Sequence, residues 1–219
     1  MSPTSPPRTA LPSVAGNPPV VGVLALQGDV REHLRALADL GADGRPVRRP
    51  EELAAVDGLI LPGGESSVID KLARAFGMSG PVRAAIDAGM PVLGTCAGLI
   101  LLADRVDGAI AGQRTFGGID ARVARNAFGG QPASFETELA VPALGQAPVH
   151  AAFIRAPIVV EHGPDATPLA TLADGRVVAI EQGALLGTAF HPESTGELRF
   201  HARFLDRVRS RRGTRAAAL

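Results

Sequence analysis

One residue has the type and setting for nucleophilic chemistry. Cys96 is the only cysteine of the 219 residues, and it lies in Gly94-Thr95-Cys96-Ala97-Gly98 between two apolar runs. Glycine–x–nucleophile–x–glycine between a strand and a helix is the pattern of a nucleophile elbow, a tight turn that presents the nucleophile. The helix N-terminus behind such a residue favours the thiolate, which is the reactive form. We predict that Cys96 is a nucleophile and that the Ala97 N–H is an oxyanion donor. The alternative is a buried structural cysteine.

A cysteine nucleophile needs a base, and His191 has the clearest context for that role. It follows an apolar run at 185–190 and precedes Pro192 and Glu193. Proline biases the residue before it toward extended backbone, where residues two apart face the same side. We therefore predict that His191 is the general base and that Glu193 orients it. The remaining histidines lack such a context and are expected to be surface or internally satisfied residues: His33, His150, His162 and His201.

A glycine-rich turn and two arginines are candidates for binding a substrate. The turn is Leu61-Pro62-Gly63-Gly64-Glu65-Ser66. Two glycines at a strand end let the backbone approach a ligand closely, and the helix that follows offers free N–H groups. Arg125 and Arg155 are candidate clamps for the α-carboxylate of an amino acid, because a guanidinium binds a carboxylate through two hydrogen bonds. A surface ion pair is the alternative for each arginine.

Alternating strands and helices must position these groups. Short apolar runs predict strands at 20–26, 58–61 and 91–94, with a weaker strand at 45–49. Helical spacing predicts helices at 29–40, 66–76, 81–88 and from residue 97. Residues 117–190 predict several strands, and a closing helix spans 196–209. The expected fold is an α/β three-layer sandwich, with a mostly parallel central sheet and helices on both faces.

Composition limits the classes of function. Lys plus Arg number 22 and Asp plus Glu number 22, so the formal net charge is zero. This balance disfavours nucleic acid and anionic membranes as partners. One cysteine excludes an intrachain disulfide and a cysteine-rich metal site. We expect a disordered proline-rich leader at 1–19, a single domain at 20–209, a basic flexible tail at 210–219 and a cytoplasmic location, since the sequence has neither a secretory signal nor a membrane-length apolar run.

The Gly-Gly turn, the cysteine elbow and His191-Pro192-Glu193, in this order, resemble the class I, triad-type glutamine amidotransferases. Finer motifs, over about residues 20–204, resemble the glutaminase subunits of pyridoxal 5'-phosphate synthases. These motifs are Leu26-Gln27-Gly28-Asp29-Val30-Arg31-Glu32-His33, Arg49-Pro50-Glu51, Arg125-Asn126, Phe153-Ile154-Arg155-Ala156-Pro157 and Phe190-His191-Pro192-Glu193. Two positions depart from the family pattern: Ala127 and Val68 stand where serine or threonine is usual.

The resemblance implies a flavodoxin-like fold and hydrolysis of L-glutamine through a thioester on Cys96. It implies that His191 is the base and then the acid, oriented by Glu193, and it implies no cofactor and no metal. The oxyanion hole would be formed by the N–H groups of Gly64 and Ala97. The glutamine site would be lined by Gly64, Glu65, Ser66, Arg125, Ile154 and Arg155.

The resemblance also implies a partner. Ammonia would pass to a barrel-shaped, ring-forming synthase subunit, which makes pyridoxal 5'-phosphate from ribose 5-phosphate and glyceraldehyde 3-phosphate. The glutaminase would be weakly active or inactive alone, with the region of Gln27 near the synthase. Two alternatives stay open: an amidotransferase of another pathway, and a non-catalytic regulatory protein on the same fold.

Overall fold

The computed structural model describes residues 17–128 and 134–217, so most of the predicted leader lies outside the described residues. The strands are β1 (Val20–Leu24), β2 (Asp43–Val47), β3 (Gly58–Leu61), β4 (Val92–Thr95), β5 (Ala103–Asp107), β6 (Ile119–Ala124), β7 (Ser134–Leu139), β8 (Val149–Ile154), β9 (Ile158–His162), β10 (Thr167–Thr171), β11 (Val177–Gln182) and β12 (Leu185–Thr188). The helices are α1 (Val30–Asp39), α2 (Pro50–Ala54), α3 (Ser66–Ala75), α4 (Ser79–Asp87), α5 (Ala97–Leu102), α6 (Pro192–Thr195) and α7 (Arg199–Ala217).

The central sheet has ten strands in the order β2-β1-β3-β4-β12-β11-β9-β6-β5, with β10 paired to β11. The first five strands in this order are all parallel. With β12 counted as the fifth strand, their order is that of a flavodoxin-like sheet, which confirms the predicted fold class. The chain between β4 and β12 adds the rest of the sheet, whose strand pairs are antiparallel except for the parallel pair β5–β6, together with the separate β7–β8 hairpin.

Helices pack on both faces of this sheet. In β3, a side chain at Gly58 would meet Phe204 and Val208 of α7. Three residues further on, Leu61 lies against Gly98 of α5. Positions an odd number apart in a strand point to opposite faces, so α5 and α7 cover opposite sides of the sheet. Burial on both faces explains why β3 is a continuous apolar run rather than an alternating one, and why the residues of β4 are all buried, Thr95 included.

The prediction of where the last helix ends is wrong. It was expected to stop at Arg209 and give way to a flexible tail at 210–219, but α7 continues to Ala217. Arg211 donates to the Ala88 carbonyl at 3.0 Å and Arg212 donates to the Asn17 carbonyl at 2.9 Å, so arginines of the supposed tail hold the last turns against the domain. Among the described residues, none of the helices is long and apolar enough to cross a membrane.

Several short elements were not predicted. Helix α2 is only five residues long, and strands β5, β9 and β10 are largely exposed, so their sequences carry little apolar periodicity. The three strands form because their neighbours supply hydrogen-bonding edges, which a local pattern does not encode. Helix α2 begins at Pro50, and the Glu52 carboxylate accepts the Arg49 N–H at its start. The strands that carry the candidate site were predicted to within about two residues.

Candidate active site

Four loops meet at one edge of the sheet. They follow β1, β3, β4 and β12, which are neighbouring parallel strands. The carboxyl ends of parallel strands share an edge, and ligands of open α/β sheets bind there. The loops carry Asp29, Gly64, Cys96 and His191, so residues far apart in the sequence lie in one place.

Cys96 lies on a strained turn between β4 and α5. Its φ is 48° and ψ is −99°, a backbone conformation that non-glycine residues seldom adopt outside functional sites. A side chain at Gly94 would lie 2.5 Å from the Gly98 carbonyl carbon, and one at Gly98 would lie 2.1 Å from the Leu61 carbonyl oxygen. The Cys96 N–H donates to the Thr188 carbonyl at 2.8 Å. The two glycines therefore let the chain double back and hold the thiol at the sheet edge.

His191 is held beside Cys96 by the loop after β12. Phe190 is fully buried, with its ring centroid 5.5 Å from that of Phe153 and 5.3 Å from that of Phe200. The His191 N–H donates to the Ala152 carbonyl at 3.1 Å. These contacts fix the backbone on both sides of the imidazole, whose interaction with the Cys96 side chain contributes to a raised His191 pKa.

Glu193 lies on the other side of the imidazole. His191 Nδ1 and Glu193 Oε1 are 2.9 Å apart, and both side chains are buried. The extended backbone predicted beyond His191 is wrong, because Pro192 is the first residue of α6. Proline suits the first helical position, and the turn that it starts brings the Glu193 carboxylate back to the imidazole. The structure thus brings the three predicted residues together by a different local conformation.

The environment of His191 favours its cationic form. Burial lowers the pKa of His191, but hydrogen bonds to Asp29, Cys96 and Glu193 outweigh burial and raise the pKa to about 12. Burial raises the pKa of the Glu193 carboxyl, which the hydrogen bond and the charge of His191 oppose. The imidazole, with carboxylates on one side and the thiol on the other, therefore keeps the proton.

Asp29 is a site residue that the sequence analysis missed. Its Oδ2 lies 3.3 Å from His191 Nδ1, and its side chain is 41% exposed. Within the described ranges, Asp29, His191 and Glu193 have potential metal-ligand atoms within 4.8 Å of one another. A cation bound to Nδ1 would displace the hydrogen bond to Glu193, so this cluster fits triad hydrogen bonding better than a metal. The expectation of no metal stays a prediction.

The predicted substrate-binding residues Glu65, Ser66 and Arg125 form one network through Gln113. Arg125 donates to Glu65 Oε1 at 2.6 Å and to Gln113 Oε1 at 2.8 Å. Gln113 Nε2 in turn donates to Ser66 Oγ at 3.0 Å. Arg125 is largely buried whereas Glu65 is 41% exposed, so this is a partly buried pair rather than a surface one. Gln113 was not predicted, since an isolated glutamine in a loop gives no pattern.

Gly64 is tied to the loop after β1. Its φ is +150°, and a side chain there would meet the Gln27 amide oxygen at 2.5 Å. That oxygen accepts the Glu65 N–H at 2.8 Å. The Gly63 carbonyl accepts the Asp29 N–H at 3.1 Å, which orients the Gly63–Gly64 peptide. Gln27 and Asp29 therefore control the backbone of the glycine turn.

Ile154 and Arg155 lie at the end of β8, whose Ala152 contacts the His191 backbone. Ile154 is 47% exposed, and Arg155 is also exposed. Arg155 has a φ of 46°, and Asn126, next to Arg125, has a φ of 48°. A positive φ at a residue other than glycine is typical of functional loops. The structure shows no hydrogen bond from the Arg155 side chain to Cys96, His191 or Arg125 among the described residues.

A parallel sheet that presents a cysteine elbow beside a histidine and a buried carboxylate defines a triad-type cysteine enzyme. The model of the SNO glutamine amidotransferase family matches residues 23–210, and the chain belongs to that family. The family-level resemblance drawn from the motifs is confirmed.

Relatives agree with this assignment over most of their length. A protein named pyridoxal 5'-phosphate synthase subunit PdxT from Clavibacter michiganensis subsp. michiganensis (strain NCPPB 382) is 64% identical over 193 residues, which are 88% of this chain and 92% of that protein. A protein of the same name from Leifsonia xyli subsp. xyli (strain CTCB07) is 64% identical over 198 residues, covering 90% of this chain and 100% of its own.

Solved structures share the fold. A glutamine amidotransferase crystal structure is 45% identical, has a TM-score of 0.80, and covers 86% of this chain and 98% of its own. A putative GMP synthase protein from Thermoplasma acidophilum has a TM-score of 0.68 at 21% identity over 92% of this chain and 99% of its own, which bears on the fold alone.

Proposed function

We propose that this chain is the glutaminase subunit of a pyridoxal 5'-phosphate synthase and that it hydrolyses L-glutamine to L-glutamate and ammonia. Its glutaminase domain, expected over residues 20–209, extends with α7 to Ala217. The observation that carries the proposal is the buried His191–Glu193 pair, 2.9 Å apart, at the sheet edge where Cys96 lies on its strained elbow. The relatives named as PdxT subunits direct this chemistry to vitamin B6 biosynthesis.

In the proposed reaction the Cys96 thiolate attacks the side-chain amide carbon of glutamine. The amide oxygen becomes an oxyanion, held by the N–H groups of Gly64 and Ala97. His191 then gives its proton to the leaving nitrogen, which departs as ammonia and leaves a thioester on Cys96. Water, deprotonated by His191, attacks the thioester, and glutamate leaves as the thiol is restored. Glu193 stabilises the imidazolium in each step.

The Glu65–Arg125 pair supports a role in recognising the backbone end of glutamine. A free amino acid carries a carboxylate and an ammonium on one carbon. Arg125 supplies a guanidinium for the carboxylate, and the half-exposed Glu65 supplies a carboxylate for the ammonium. Ser66 and the exposed Ile154-Arg155 pair complete the proposed lining. Glutamine binding would then replace the Arg125–Glu65 ion pair by two ion pairs to the ligand, one from each of these residues.

We further propose that the protein is cytoplasmic and that ammonia passes to a ring-forming, barrel-shaped synthase subunit. Ammonia is protonated in water, so a receiving partner preserves the product for synthesis. Gln27 is hydrogen-bonded to the Glu65 N–H, so a partner that binds near Gln27 could change the position of the Gly64–Glu65 turn and of the proposed oxyanion donor. A nucleophile that is a single free thiol suits a reducing compartment.

Glutamate release from glutamine, measured with and without the synthase, tests the function. We expect a large increase when the synthase is present. Cys96→Ala should abolish release in both assays but still bind the synthase in sedimentation, because it removes only the nucleophile. The exposed His162→Gln variant is the matched control and should behave as wild type. Retained release by Cys96→Ala, or no release by wild type in either assay, would contradict the proposal.

A further inference from the structure

A buried chain of polar side chains continues from the triad into the protein interior. Thr95, His33 and His201 are each 0% exposed. The Thr95 hydroxyl donates to Glu193 Oε1 at 3.3 Å, and it lies 3.2 Å from His33 Nε2. His33 Nδ1 lies 2.9 Å from His201 Nε2. The two histidines are thus internally bonded, which is one of the two expected cases, but their link to the triad was not predicted: His33 Nε2 is 3.6 Å from Glu193 Oε1.

The hydrogen bonds along this row of buried side chains allow one consistent assignment of donors and acceptors. Glu193 faces a protonated His191, so its carboxylate only accepts hydrogen bonds, and the Thr95 hydroxyl must donate to it. Thr95 then accepts from His33 Nε2–H. His33 Nδ1 is left as an acceptor, to which His201 Nε2–H donates. This order leaves His201 Nδ1 without a proton, and that atom has no hydrogen-bond partner among the described residues.

Both histidines are suited to this neutral role. Burial, followed by the charges of His201 and His191, lowers the pKa of His33 well below its ordinary value. Burial lowers the pKa of His201 to about 4, against the nearby Glu197, which raises it. Two neutral imidazoles can order protons along the chain without adding a buried charge. The hydrogen bonds from Thr95 and His191 both go to Glu193 Oε1. Glu193 Oε2 has no partner within the part of the protein that the structure describes.

We propose that His33 is a positioning residue of the triad: with His201 behind it and Thr95 in front, it fixes the Glu193 carboxylate as an anion aimed at His191. The inference rests on the proposed function. The titratable groups around Glu193 are His191 and Asp29 at the site and His33 behind it. Losing the inner donors should destabilise the ionised Glu193 carboxylate, and therefore also the His191 cation that this carboxylate stabilises. His191 should then lose its proton at a lower pH than in the wild-type protein.

The test uses matched pairs of variants with the full chain and the synthase present. Thr95→Val and His33→Leu remove the donors with similar volume, whereas Thr95→Ser and His33→Gln keep a donor in place. Removing a hydrogen bond to a charged group predicts a fall in kcat of about tenfold or more, with KM for glutamine within about twofold. The basic limb of the kcat/KM profile should move to lower pH. The conservative variants should recover most of kcat and the wild-type profile.

Alkylation by iodoacetamide supplies a readout that needs no turnover, because Cys96 is the only thiol. In Thr95→Val and His33→Leu, the pH midpoint of the alkylation rate should move upward. Wild-type kcat and unshifted profiles in both variants would overturn the inference. So would equal losses in His33→Leu and His33→Gln that follow melting temperature without a pH shift. If wild type releases no glutamate, the proposed function fails, and the alkylation profiles still decide the inference.

Discussion

Gly98→Ala tests whether close contact between α5 and β3 sets the position of the nucleophile. The added carbon would lie 2.1 Å from the Leu61 carbonyl oxygen, which belongs to a fully buried central strand and is not a flexible side chain. Restoring an ordinary contact requires a shift of about 1 Å between the elbow and the strand. Overpacking of this kind costs about 3 kcal/mol. For a chain of this size, that cost lowers the melting temperature by about 6–12 °C.

The same shift should affect chemistry, because a displacement of about 1 Å in a reacting group lowers the rate about a hundredfold. Calorimetry gives the melting temperature, and glutamate release with the synthase gives kcat. Gly80→Ala is the matched control: its added carbon meets nothing within 4 Å, so stability should stay the same or rise by about 0.4–1 kcal/mol. Gly98→Ala with the melting temperature and kcat of wild type would refute the reasoning.

Two further predictions concern the substrate arginine and the buried histidines. Arg125→Lys cannot reach both Glu65 and Gln113, so KM for glutamine should rise about tenfold with a smaller change in kcat. Arg122→Lys, a surface variant, should leave both constants unchanged, and equal effects would refute the assignment. His201 has a pKa of about 4 when folded and an ordinary value near 6.5 when unfolded, so the unfolded chain binds more protons between these values. The contribution of neutral His201 to the free energy of unfolding should therefore be fully present above about pH 6.5 and be lost as the pH falls toward about 4. Urea unfolding should show a smaller decrease in the free energy of unfolding over this range for His201→Asn than for wild type.

The central strands and the elbow could be predicted because their signals are local. Strand β3 matches its prediction at both ends, since four apolar residues end at Pro62 and a glycine pair. Gly94 and Gly98 flank Cys96 for a steric reason that their spacing already indicates. Long α7 was cut short in the prediction because its last turns are basic and have no apolar stripe. Tertiary contacts of Arg211 and Arg212 hold those turns, and no local pattern encodes such contacts.

The residues missed at the site share a different property: each acts through a partner distant in sequence. Asp29 contacts His191, which lies 162 residues further along the sequence (191 − 29). His33 meets His201 with a separation of 168 residues and Thr95 with one of 62. The local sequence around a buried helical histidine does not show whether its side chain contacts only apolar atoms or is hydrogen-bonded, through other side chains, to a carboxylate such as Glu193. Only the order of strands in the sheet decides between these cases.

That strand order also explains why part of the proposed substrate site comes from a different segment of the chain than the proposed triad. Cys96 and His191 follow β4 and β12, which pair directly in the parallel half of the sheet, so the register of Gly94 with Gly187 and Thr95 with Thr188 fixes their separation. Arg125 and Ile154 come instead from the segment inserted between those two strands. Changes confined to the loops that carry Arg125 and Ile154 can alter substrate binding, whereas changes at Ala152 of β8 would also move the triad, because Ala152 accepts the His191 N–H. The same pairing makes the geometry of the triad depend on Thr95. This residue pairs with Thr188 in the register of β4 with β12, and its side chain contacts His33.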